Sequence, residues 1–123
     1  MIIECGVNLK YVLNTHVHAD HITGSGLLKQ KIPGLQSILA AVSKGACDIP
    51  VSEYDEICFG TRKLIVLATP GHTEGCLSFV LEDLSMVFTG DALLIRGCGR
   101  TDFQVILICL YTVRSRLWTI YRF

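Results

Sequence analysis

No stretch of this sequence is apolar for long enough to cross a bilayer. The longest uninterrupted run, VILICLY near the C-terminus, falls far short of the roughly 20 residues a membrane helix requires. Net charge is missing as well: 11 basic and 11 acidic residues cancel, which removes the simplest electrostatic case for a nucleic-acid partner. Acid is absent from residues 105–123, where Arg114, Arg116 and Arg122 make a basic tail on a mildly acidic body. The six cysteines form no CxxC pair and no dense framework, and no basic-then-apolar leader opens the chain. A disulfide-built secreted module is thereby excluded and a reducing compartment expected. With 123 residues, half of them hydrophobic, the chain has material for one core and one domain.

Histidine is scarce, with four in the chain, but it is concentrated. Three fall in NTHVHADH, Asn14 to His21, as His16, His18 and His21 with Asp20 among them. The preceding LKYVLNT has the β-branched and aromatic content of a buried strand, so the cluster sits on the loop leaving a strand. A lone histidine is most often an ordinary imidazole. Alternating histidines on extended chain share a side, so HxHxDH can converge on one ion. Imidazole with carboxylate suits zinc or iron(II), whereas an all-thiolate set favours zinc or an iron–sulfur cluster. The fourth histidine, His72, lies in TPGHT, and Asp91 lies in FTGDAL. Taken alone these are weak signals: His72 after a Pro-Gly turn fits a solvated ring, and Asp91 fits a turn cap. Their force lies in the order HxHxDH, PGHT, TGD.

The rest of the chain alternates turn material with short apolar runs. TGSGLLKQKIPG predicts a short helix over residues 24–31, with Thr23 or Ser25 as N-cap and Pro33-Gly34 as stop. QSILAAV is short enough to be strand or helix, and strand is the preferred reading. From Glu56, the runs EICF, KLIVLAT, CLSFVLE and SMVFTG are separated by GTR, PGHTEG and EDL, which predicts an antiparallel meander. His72 and Asp91 follow two of its strands, at positions where loops carry function.

With these motifs in place, THVHADH, TPGHTEGC and FTGDALL resemble the metallo-β-lactamase-fold superfamily, in which such loops gather at one edge of an αββα sandwich to hold one or two metals. HADHITGSGLL and FTGDALLIRGCGRTDFQ resemble its persulfide dioxygenase branch, and IRGCGRTDF separates that branch from the glyoxalase II hydrolases. The resemblance implies an α/β (α+β) fold, a partial αββα sandwich over residues 1–104 with its metal-binding loops at one sheet edge, and a divergent tail over 105–123. The tail reads as the product of a shifted frame or an alternative splice, and VILICLY as an aggregation hazard where exposed.

The resemblance places one iron(II) on His16, His72 and Asp91, a facial triad with open positions. His18, Asp20 and His21 would orient ligands or water around it, and Arg100 would either place a substrate carboxylate or form a structural ion pair. A two-zinc hydrolase would instead use His16, His18 and His72 with Asp20, His21 and Asp91, plus a later histidine, and no histidine follows His72. By resemblance the substrates are glutathione persulfide and dioxygen, the products sulfite and glutathione, and the location mitochondrial, with cytoplasmic the alternative because no transit peptide is visible. No nucleic acid is expected as partner; a homo-oligomer is allowed. Two other readings stand beside this one: a glyoxalase II-like thioester hydrolase using zinc, and a truncated isoform without activity. Much of the first half-sandwich is expected to be missing, leaving strand faces such as LIVLA and LSFVL uncovered and the chain a weak or inactive fragment.

Overall fold

The computed structural model describes residues 4–102; the tail expected over residues 105–123 lies outside them. Seven strands form two sheets. The first holds β1 (Tyr11–Leu13), β2 (Gln36–Ala40) and β3 (Ile49–Val51), all parallel. Parallel neighbours need a crossover, and between β1 and β2 it contains helix α1 (Ser25–Lys31). The second is the expected antiparallel meander: β4 (Glu56–Phe59), β5 (Arg62–Ala68), β6 (Leu77–Leu81) and β7 (Val87–Phe88), in that order. Register is fixed by pairs such as Val66 with Phe79 and Phe79 with Phe88.

The sheets pack face to face. Ile38, Ala40 and Val51 from the first meet Ile57, Leu64, Val66, Leu77, Phe79 and Leu81 from the second, with Tyr11, Leu13 and Ile49 at the margin. Val66 is 0% exposed. The expectation of uncovered strand faces is therefore corrected: three strands of the first sheet are present, enough to bury the inner faces of β5 and β6. Among the described residues there is one α-helix, α1.

Three local expectations change. Neither Thr23 nor Ser25 caps α1; Gly24 does, without a side-chain bond, while the Thr23 and Asn14 side chains both hydrogen-bond Ser25 Oγ. QSILAAV resolves into both of its readings, β2 followed by a 3₁₀ turn at Ala41–Ser43. β3 was not foreseen because it contains Pro50, which an edge strand tolerates since its outward nitrogen donates to no ladder.

Candidate metal centre

The site is assembled from three strand ends on one side of the sandwich. β1 is prolonged by Asn14, whose amide donates to the Ile38 carbonyl (3.1 Å), and Thr15 then bridges the sheets by accepting from the Leu77 amide at 2.7 Å. This pins the chain where the alternation of His16 and His18 begins. After β5 the loop 69–76 closes on itself: the Thr69 amide donates to the Cys76 carbonyl (2.9 Å), and Cys76 Sγ accepts from the Thr73 amide (3.2 Å). His72 is held inside this loop at 4% exposure. After β7, Gly90 takes φ 52°, a left-handed conformation that favours glycine, and turns the chain so that Asp91 faces the histidines.

His16, His18, His72 and Asp91 converge, each offering a donor atom, with all four atoms within 4.8 Å of one another. The three imidazole rings lie 4.7–5.0 Å apart, centre to centre. Asp91 Oδ2 is 3.4 Å from His72 Nε2. A carbonyl only accepts, so the 2.8 Å contact from His72 Nδ1 to the Arg100 carbonyl requires the proton on Nδ1. His72 Nε2 is then a bare lone pair aimed into the cluster. His18 Nε2 lies 2.7 Å from it, so these two ring nitrogens face each other inside the cluster. Burial pushes the His16 imidazole below its ordinary pKa; Asp91 opposes the shift, and His72, His18 and His21 add to it. The shift favours the neutral His16 ring, the form that ligates a metal. Three imidazoles and one aspartate suit a borderline divalent ion.

All three expected ligands meet, and His18, expected beside them, is a fourth member of the cluster. Asp20 and His21 remain outside it, exposed and bonded to each other at 3.0 Å, which holds the Asp20 carboxyl below the usual carboxylate range. Both line a cleft of about 370 Å³ with His18, His72, Asp91 and Arg100. The Arg100 guanidinium bonds Asp102 at 2.7 and 2.8 Å, and its carbonyl bonds His72 Nδ1. Thr15, whose Oγ1 lies 3.0 Å from His16 Nδ1, was missed by the sequence reading, as was Gly99, whose amide donates to the Asp91 carbonyl at 2.6 Å. The TH of NTHVHADH was the available signal for Thr15; backbone contacts leave none.

The metallo-beta-lactamase superfamily model matches residues 6–36 and 31–122. The chain belongs to this superfamily. Within it, the chain is 58% identical over 104 residues to the persulfide dioxygenase ETHE1, mitochondrial, of Homo sapiens, covering 85% of this chain and 41% of that protein. It is 42% identical over 98 residues to the hydroxyacylglutathione hydrolase of Brucella ovis, covering 77% of this chain and 38% of that one. The crystal structure of ETHE1 from Myxococcus xanthus superimposes with a TM-score of 0.75 at 45% identity, over 84% of this chain and 44% of that chain. The chain spans about two-fifths of the length of these relatives. As a metallo-beta-lactamase superfamily member it carries its metal donors at the strand ends of one sandwich edge, as the motifs imply.

Proposed function

We propose that this chain carries the metal-binding portion of a mononuclear non-haem iron persulfide dioxygenase, with His16, His72 and Asp91 as ligands. The observation that carries the reading is the convergence of these three side chains, from three separate loops, on one point. The 58% identity to a persulfide dioxygenase supports the choice of chemistry. The overall reaction would take glutathione persulfide, dioxygen and water to glutathione and sulfite, a balance that needs no other reductant. When bound, iron(II) supplies adjacent open positions that turn the encounter of persulfide and dioxygen into a reaction between neighbours.

This chain's residues contribute the rest. The Arg100 carbonyl keeps the His72 proton on Nδ1 and so presents Nε2, while Thr15 Oγ1 accepts from His16 Nδ1 in the ligating tautomer. Asp20, His21 and Arg100 line the cleft through which a polar substrate would enter. The relatives named mitochondrial support a mitochondrial location.

The second reading, a hydroxyacylglutathione hydrolase with a hydrolytic zinc centre, is favoured by one observation: His18 belongs to the donor cluster. Metal analysis after anaerobic reconstitution separates the two. One iron per chain, with oxygen uptake on glutathione persulfide, supports the dioxygenase. Two zincs with thioester cleavage and no oxygen uptake overturn it.

A further inference from the structure

Two of the four cluster residues, His72 and Asp91, are touched by the same short piece of backbone. It begins with a tight reversal in which the Leu94 amide donates to the Gly97 carbonyl (2.8 Å) and the Gly97 amide donates back to the Leu94 carbonyl (3.3 Å). The returning limb then makes two bonds in succession. The Gly99 amide donates to the Asp91 carbonyl at 2.6 Å, and the next carbonyl, that of Arg100, accepts from His72 Nδ1 at 2.8 Å. One bond fixes the backbone from which Asp91 projects; the other fixes the rotation and tautomer of the His72 ring.

Both bonds depend on how near the limb comes. A methyl group at Gly99 would lie 2.7 Å from His72 Nδ1 and 2.8 Å from both His72 Cγ and Asp91 Cβ. Atoms do not pack at those distances, and neither neighbour yields cheaply. The His72 ring is buried against His16 and His18, and Asp91 Cβ is attached directly to the main chain. A side chain here must therefore push the limb outward and lengthen one or both bonds. Gly97, in the same segment, has nothing within 4 Å of the corresponding position, so the requirement belongs to position 99 and not to the glycine-rich loop in general.

We propose that residues 94–100 form a clasp that couples the placement of His72 and Asp91, with Gly99 as its positioning residue: the missing side chain lets one backbone limb choose which His72 nitrogen faces the centre while holding the Asp91 backbone. The proposal rests on the reading of His72 and Asp91 as metal ligands, and it adds a residue that touches neither metal nor substrate. Gly99 shares no side-chain chemistry with the site, and it acts through the contact distance alone.

The test uses the full chain, metal-free and then titrated with cobalt(II) as spectroscopic probe. Nitrogen-15 spectra of the wild-type imidazoles should show His72 protonated on Nδ1, with a scalar coupling across the bond to the Arg100 carbonyl. Gly99→Ala should abolish that coupling, mix the His72 tautomers and weaken cobalt binding by about 10- to 100-fold, the range for losing a group that orients a ligand. Gly97→Ala should leave coupling, tautomer and affinity as in the wild type. A Gly99→Ala chain that keeps the wild-type His72 signature and affinity overturns the proposal, as do equal losses in both variants. Should Gly99→Ala fail to fold, the wild-type spectrum still decides, since a His72 with no proton on Nδ1 contradicts the clasp outright. A wild type that shows the Nδ1 proton and coupling yet binds no cobalt would sink the metal reading and leave the clasp standing.

Discussion

The two ends of the sandwich are built from the same strands and treat polar groups in opposite ways. At the end where β4 gives way to β5 and β6 to β7, charges are matched one against another. Arg62 bonds Glu82 and Asp83, and Lys63 bonds Glu56, all near the surface. At the other end His16, His18, His72 and Asp91 are drawn together, and bonds to Thr15 Oγ1 and the Arg100 carbonyl hold His16 and His72 from outside the cluster. Matched charges satisfy themselves and leave no capacity for a ligand. Imidazoles whose outer nitrogens are occupied have inner nitrogens to offer. The first end is closed on itself, and the second is the one equipped for chemistry.

The comparison breaks most completely if the core between the ends is removed. Phe79→Ala should cost about 3–5 kcal/mol, a large share of the roughly 5–15 kcal/mol of an ordinary domain, and should abolish metal retention with the fold. Thermal unfolding of the metal-free chain measures it, and a melting temperature near the wild type's would mean the sheets do not depend on this face. His72→Ala should separate the two ends: metal retention after dialysis is lost while the circular dichroism spectrum stays that of the wild type, and Arg62→Ala at the far end should do neither. Stoichiometric metal on His72→Ala would move the centre elsewhere.

A finer probe is Thr15→Val, which keeps shape and removes the oxygen facing His16. Metal affinity should fall about 10-fold with little change in unfolding temperature; an unchanged affinity would make Thr15 a strand-end residue and nothing more. The smallest effect belongs to charge matching away from the site. Lys29, then the Ser37 amide and hydroxyl, hold the Asp48 carboxyl well below the usual carboxylate range. A carboxyl depressed on folding adds stability that is complete above its unfolded pKa of about 3.9 and fades as pH falls below it. Asp48→Asn should therefore lower the melting temperature slightly in the neutral region and flatten its fall between about pH 5 and about pH 2, the two chains converging at the acid end. An acid limb as steep as the wild type's would assign the acid sensitivity to other carboxylates.

The meander was legible because EICF, KLIVLAT, CLSFVLE and SMVFTG each carry their own turn signals, so local pattern and pairing agree. β3 was hidden by Pro50, which reads as a break in any strand except one at an edge. That three strands suffice to cover β5 and β6 could not be read, because coverage depends on how Ile38, Ala40 and Val51 face the other sheet and not on any segment by itself. At the site, His16, His72 and Asp91 were legible as residue types in a telling order. The part of His18 was not, since its neighbour in the cluster is 54 residues away in sequence. Gly99 and the Arg100 carbonyl act through the main chain, which the sequence writes the same way at every position.

That separation also sets a schedule. The cluster spans from His16 to Asp91, and the bond that turns His72 comes from residue 100. During synthesis at about 5–20 residues per second, the HxHxDH loop emerges several seconds before the carbonyl that orients its distant partner. For that interval the three early histidines are loose ligands on an unfinished surface, free to take whatever ion is abundant. Bringing all four side chains onto one point therefore has to wait until Asp91 has emerged and the sandwich has closed.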